Sequence, residues 1–286
     1  MSLTIPTTLN VNGNLLDLST PKVMGILNVT PDSFFKSSRK ECDADIISRV
    51  KEIIEEGAAI IDLGGYSSRP SAAEVTIKEE MDRLRNALTL IQNNFSSSSL
   101  VLSVDTFRAD VAKMCVEEFG VAIVNDISGG SLDKNMFQTV ADLQVPYILM
   151  HMKGIPQTMQ NNPMYDLLVR DIFLYFAEKV SELRQLGVND IVLDPGFGFA
   201  KNLSHNYELL NYISDFSIFD LPLLVGFSRK SMIYQLLENT PSEALNGTTV
   251  LNTIALLQGA QILRVHDVRE AVEAVKIVET MKQAKR

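Results

Sequence analysis

Nearly every short apolar run in this chain ends in a side chain able to ionise or to recognise a polar ligand. Asn28, Asp62, Asp105, Asn125, Asp126, His151 and Asp194 close successive runs, and Arg264 and His266 alternate through the last one. A carboxylate beside apolar sequence is costly unless a cation or donor meets it, so these positions imply partners. Arg264 and His266 stand two apart, so an extended strand turns both to one side, and a guanidinium is suited to bidentate phosphate contact. Asp and Asn also cap helices. Capping accounts for one or two of these residues but poorly for a set drawn from nearly every run, and His and Arg are not capping residues. No Ser/His/Asp arrangement is visible. Only Cys42 and Cys115 are present, too few for a disulfide framework or a thiolate metal cluster.

The elements that must position these groups are readable from the apolar pattern. Strands are expected at 23–29, 59–64, 100–105, 122–126, 146–151, 191–194, 223–226 and 262–266, each nearly continuous in apolar residues. That is the signature of parallel strands buried on both faces. Amphipathic stretches at 45–56, 77–92, 108–119, 171–186 and 271–281 read as helices, and Gly57, Gly120 and Gly187 follow three of them as C-terminal caps. The count approaches eight βα units, which closes a (β/α)8 TIM barrel; a doubly wound open sheet is the alternative. In such barrels the C-terminal ends of the strands carry the active site, where the polar set falls. The expected organisation is a short N-terminal extension, residues 1–21, and a single barrel domain, residues 22–286.

Composition sets the limits. At 286 residues, 46% hydrophobic and 21% charged, the chain reads as an ordinary globular protein. A formal net charge of -9 argues against nucleic-acid or anionic-membrane binding. The first residues lack a signal-peptide pattern and no apolar run approaches a membrane span, so a cytoplasmic protein is expected.

Four segments carry a resemblance. They are Asn-Val-Thr-Pro-Asp-Ser-Phe at 28–34, Asp-Leu-Gly-Gly-Tyr-Ser-Ser-Arg-Pro at 62–70, Asp-Pro-Gly-Phe-Gly-Phe-Ala-Lys-Asn at 194–202, and Gly-Phe-Ser-Arg-Lys at 226–230. Ser-Val-Asp-Thr at 103–106, Val-Asn-Asp-Ile-Ser-Gly-Gly at 124–130, His-Met-Lys-Gly at 151–154 and Arg-Val-His-Asp at 264–267 support them. In order and in register from about Lys22 to Ala274, the chain resembles the dihydropteroate synthases. The resemblance implies a transferase of folate biosynthesis and a target of sulfonamides. It would join a hydroxymethyl-dihydropterin diphosphate to p-aminobenzoate and release pyrophosphate. It also implies a cytoplasmic homodimer, although no helix pattern locates an interface.

By that resemblance Asp105, Asn125, Asp194 and Lys230 bind the pterin, with Lys230 as the charge partner of Asp194. Arg264 and His266 meet the diphosphate. Asn28 helps hold a Mg²⁺ ion on it, a hard cation suited to oxygen ligands. Phe34, Ser68 and Pro70, in the loops after the first two strands, face p-aminobenzoate together with Phe199 and Ser228, and Ser67 and Arg69 in the second of those loops are also substrate-binding. Asp105, Lys230, Arg264 and His266 carry the catalysis, while His151 and His205 are given no catalytic role. The sequence departs from the family pattern where Phe35 onward replaces two loop glycines, at Tyr66, at Ser71 and at Ala200. Two other readings are a pterin-dependent methyltransferase, which shares the barrel but does not need Lys230, Phe199 or the Arg264/His266 pair, and a catalytically degenerate pterin-binding paralogue.

Overall fold

The structure, a computed structural model, describes residues 8–30, 39–66, 75–95, 100–155, 159 and 163–284, without the side chains of residues 39–41. Its centre is a parallel sheet of eight strands: β3 (Lys22–Asn28), β4 (Ile60–Gly64), β5 (Val101–Asp105), β6 (Ile123–Asp126), β7 (Tyr147–Met150), β8 (Ile191–Asp194), β9 (Leu224–Val225) and β10 (Ile262–Val265). Hydrogen bonding runs β8-β7-β6-β5-β4-β3-β10-β9, and a parallel bridge between Leu193 and Leu223 joins the two ends. The sheet is therefore a closed (β/α)8 barrel and not an open doubly wound sheet. Closure removes the two edges that an open sheet exposes. The observed strands start or stop within two residues of the expected ones, and His151 and His266 lie just past their strand ends.

Around the barrel run α1 (Arg39–Glu55), α2 (Ile77–Asn94), α3 (Ala109–Phe119), α4 (Met136–Leu143), α5 (Leu168–Gln185), α6 (Leu203–Asn211), α7 (Ser231–Tyr234), α8 (Leu245–Leu257) and α9 (Val268–Gln283). In α2, Leu84, Ala87, Leu88 and Ile91 recur at helical spacing and are buried on the barrel. Thr76 and Glu79 start that helix with a reciprocal capping box. Gly120 ends α3 in the left-handed region, φ 66°, where its N–H reaches the Cys115 and Val116 carbonyls. Gly57 and Gly187 also have positive φ, as expected of caps.

The N-terminal segment is more than an extension. β1 (Thr8–Val11) and β2 (Asn14–Asp17) form an antiparallel hairpin. Asn12 and Gly13 turn it with φ of 53° and 80°, the paired positive angles that a two-residue hairpin loop requires. Leu9, Val11 and Leu18 are buried against Met24, Ile60, Ile123, Ile148, Val192, Leu224 and Ile262. The hairpin thus seals the N-terminal end of the barrel with an all-apolar floor.

Candidate active site

Two residues along each strand, the floor turns into something else. Met24, Ile60, Ile123, Ile148, Val192, Leu224 and Ile262 belong to the apolar floor. Stepping by two, the strand period, reaches Ile26, Asp62, Asn125, Met150, Asp194, Gly226 and Arg264, and a further step from Arg264 reaches His266. One pocket at the C-terminal end is lined by Ile26, Asp105, Asn125, Ile127, Met150, Asp194, Phe199, Gly226, Ser228, Lys230, Arg264 and His266. Eight site residues expected there from sequence line it: Asp105, Asn125, Asp194, Phe199, Ser228, Lys230, Arg264 and His266. Asn28 stands beside it: its Oδ1 is 3.3 Å from where a side chain on Gly64 would begin, and Asp105 Oδ2 is 3.8 Å from the same point. A side chain at 64 would crowd Asn28 Oδ1, so glycine leaves that oxygen room. Phe34, Ser67, Ser68, Arg69 and Pro70 lie outside the described residues.

A chain of polar contacts crosses the pocket. Asn125 Nδ2 donates to Asp62 Oδ2 at 2.9 Å. Arg264 Nε donates to the same oxygen at 2.6 Å, and Arg264 Nη2 donates to Asp105 Oδ2, also at 2.6 Å. Four strands contribute one residue each. Asp62 is fully buried, and its Oδ1 has no hydrogen-bond partner. Such an orphan acceptor costs free energy. Burial pushes the Asp105 carboxyl up to about 7, against the pull of Arg264, and Asp62 adds to the rise. Burial also raises Asp194, which Lys230 and the Gly196 N–H oppose; that N–H donates to Asp194 Oδ1 at 2.8 Å. Arg264, between carboxylates, stays ionised, with a pKa above the usual guanidinium range.

Lys230 differs from expectation. Its Nζ donates to the Phe197 carbonyl at 2.5 Å and lies 4.8 Å from the Phe199 ring centroid. Asp194 attracts it through space, but no direct ion pair joins the two. Burial lowers the ammonium to about 8. The carbonyl comes from the glycine-rich turn after β8, which takes the ammonium's hydrogen bond in place of the carboxylate.

Ser228 and His266 sit together. The Ser228 hydroxyl accepts from the His266 backbone N–H at 3.2 Å and lies 3.1 Å from His266 Nδ1. Assigning that hydroxyl's proton to Nδ1 leaves the ring's own proton on Nε2. Burial, with Arg264 nearby, lowers the imidazole to about 4, so the ring is neutral at pH 7. Behind them, Arg229 grips Asp267 through Nε at 3.2 Å and Nη2 at 2.5 Å, tying the loop after β9 to the start of α9.

Asp126 and His151, which end strands with the others, do not enter the pocket. Asp126 alternates with Asn125 and therefore points away. It accepts from the Ser128 and Gly130 N–H groups and from the Tyr147 hydroxyl, and so shapes the next loop. His151 contacts Lys201, a buried lysine that the sequence reading quoted without a role. Asp62 was recognised at a strand end without being given a ligand or a partner, although the two-residue step from Ile60 identifies it. Beside the mouth, Arg108 pairs with buried Glu80 at 2.7 Å and donates to the Val75 carbonyl at 2.6 Å. Its guanidinium also lies 5.4 Å from the Tyr66 ring centroid. It braces both residues that flank segment 67–74.

These walls carry the kinds of group that recognise a flat, polar-edged ligand: carboxylates and an amide, the apolar side chains of Ile26, Ile127 and Met150, and cations. No group of three His, Cys, Asp or Glu able to hold a metal ion occurs among the described residues. The family model described as pterin binding enzyme matches residues 24–266. Dihydropteroate synthase of Escherichia coli (strain K12) is 46% identical over 275 residues, 96% of each chain. A Yersinia pestis dihydropteroate synthase solved as a sulfonamide drug complex superposes with a TM-score of 0.87 at 43% identity, covering 97% of this chain and 100% of that one. The Xanthomonas albilineans enzyme solved with 4-aminobenzoic acid gives 0.88 at 33% identity, covering 98% and 99%. The chain belongs to the pterin-binding enzymes and, among them, to the dihydropteroate synthases.

Proposed function

We propose that the mouth of this barrel carries out dihydropteroate synthesis, joining a hydroxymethyl-dihydropterin diphosphate to p-aminobenzoate with loss of pyrophosphate. The observation that carries the assignment of roles is the Asn125–Asp62–Arg264–Asp105 chain, with its unsatisfied Asp62 oxygen, in an apolar-walled pocket. Asp105, Asn125 and Asp194 meet the donor-rich edge of the pterin, and Lys230 meets an acceptor on it. Asp105 also faces the methylene carbon as positive charge develops there. His266, neutral and donating through Nε2, and Arg264 stabilise the departing diphosphate, charge stabilisation aimed at the transition state. The amine nitrogen bonds to the methylene carbon as the carbon–oxygen bond to the diphosphate breaks. No covalent intermediate on the protein is required.

Asn28 Oδ1, near the Gly64 backbone, is a hard oxygen donor of the kind Mg²⁺ takes. One side-chain donor is too few for a resident ion, so Mg²⁺ would arrive with the diphosphate and neutralise part of its charge. On the aminobenzoate side stand Phe199 and Ser228, with Phe34, Ser67, Ser68, Arg69 and Pro70 proposed to complete the clamp. A pterin-dependent methyltransferase has no use for the Arg264/His266 pair, and no observation favours it. No helix among the described residues is long and apolar enough to cross a membrane, and we assign the protein to the cytoplasm as a homodimer of one-domain barrels.

The deciding assay incubates the purified protein with the pterin diphosphate, Mg²⁺ and p-aminobenzoate and follows pyrophosphate. Release that depends on the amine is the expected result. Pterin binding without release would identify a degenerate pterin-binding protein instead.

A further inference from the structure

Among the described residues, the most deeply buried cation outside this chemistry is Lys201, 2% exposed. Its ammonium contacts His151 Nδ1 at 3.0 Å, the Gly196 carbonyl at 3.0 Å and the Phe199 carbonyl at 3.1 Å. No carboxylate among the described residues pairs with it directly. Burial brings it down to about 7, opposed by Asp194 through space. His151 is itself buried, packed edge-on against Tyr175 at 4.9 Å. Burial keeps its pKa well below the usual range, so the neutral ring offers Nδ1 as an acceptor.

The turn between β8 and α6 is wound around this ammonium. Gly196, Gly198 and Ala200 alternate in the left-handed region with φ of 69°, 78° and 48°. A side chain at Gly196 would overlap the His151 carbonyl oxygen. Asn206 closes the far side, accepting from the Gly198 N–H at 2.7 Å and donating to the Lys201 and Asn202 carbonyls. Two lysines thus divide the carbonyls of the turn: Lys201 takes those of Gly196 and Phe199, and Lys230 takes that of Phe197. An alanine at position 200 is strained in that conformation, so the turn needs something to hold it. A buried, unpaired ammonium is itself expensive, and an apolar side chain of similar length is often tolerated as well in such a place. Stability alone does not account for a lysine here.

We propose that Lys201 is a positioning residue that holds the turn in the shape presenting Phe199 to p-aminobenzoate. The inference rests on the reading of Phe199 as a wall of the aminobenzoate site. Lys201→Met is expected to raise KM for p-aminobenzoate by about tenfold or more, since small misplacements of a positioning group are costly, and to leave KM for the pterin diphosphate unchanged. Arginine cannot substitute, because its planar fork does not fit three acceptors around one point. A second pair of variants reads the same contact without touching the lysine. His151→Leu, which removes the acceptor, raises the aminobenzoate KM, whereas His151→Asn, which retains an acceptor near the Nδ1 position, raises it less. Phe199→Ala is the control. If it leaves the aminobenzoate KM unchanged, the reading of Phe199 fails. If it raises that KM while Lys201→Met and His151→Leu do not, or if those two raise both KM values equally, the positioning role is overturned. Should Lys201→Met fail to fold, the two His151 variants decide the matter by the same split.

Discussion

The two ends of this barrel are built from the same strands, yet two residues of offset separate a grease seal from a charged mouth. At the N-terminal end, Met24, Ile60, Ile123, Ile148, Val192, Leu224 and Ile262 pack with the hairpin's Leu9, Val11 and Leu18. At the other end, Asp62, Asn125, Asp194 and Arg264 occupy the next positions on four of those strands. The floor gains free energy from every apolar surface it removes from water. The mouth does the opposite, leaving a buried carboxylate oxygen without a partner and raising the Asp105 carboxyl to about 7. The floor therefore supplies apolar burial and the mouth supplies binding capacity, and changes at the floor are expected to leave the chemistry of the mouth intact.

The comparison breaks first at Arg264. Arg264→Met leaves Asp62, Asp105 and Asp194 facing one another without their guanidinium. A loss of about 3–5 kcal/mol at neutral pH is expected, as when one partner leaves a buried pair, together with loss of turnover. Because Arg264 holds Asp62 and Asp105, binding of the pterin should suffer as well as binding of the diphosphate. A variant that loses diphosphate affinity alone would show that the arginine serves only the anion. Urea unfolding and calorimetric titration with each ligand measure both effects.

At the floor, Ile123→Ala should cost about 2–5 kcal/mol of stability, the range for truncating a fully buried isoleucine. The kcat of the folded fraction should not change. A lowered kcat with intact folding would mean that the floor shapes the mouth, and the separation of the two ends would fail.

At His266 the effect is confined to the pH dependence of stability. Its folded pKa, about 4, lies below the unfolded value of about 6.5. The unfolded chain therefore binds a proton that the folded chain refuses in that window. This contribution to stability is present above pH 6.5 and is lost as pH falls toward 4. His266→Gln should flatten that segment of the curve; an unchanged slope would locate the titration elsewhere.

Much of this was legible beforehand, for a physical reason. A strand repeats every two residues, so Arg264 and His266 could be assigned to one face, and apolar continuity marked the eight strands. The same periodicity, applied strictly, separates Asn125 from Asp126 and adds Asp62, but residue type at a strand end does not. The hairpin went unread in residues 1–21, although Asn12-Gly13 is a hairpin turn signal, and its role as the barrel floor depends on packing between segments distant in sequence. Lys201 and the Lys230–Phe197 contact had no periodic signal. They arise from a turn of positive-φ residues whose carbonyls converge only after folding. The loop positions Phe34 and Ser67 through Pro70 rest on resemblance.

The central claim, that the mouth's carboxylate and arginine chain is the pterin site, is tested most directly with Asp105→Ala. Pterin binding by calorimetry and amine-dependent pyrophosphate release should be measured on the folded variant. Both are predicted to be lost. A variant that binds the pterin and turns over with a kcat near that of the unsubstituted protein would contradict the account.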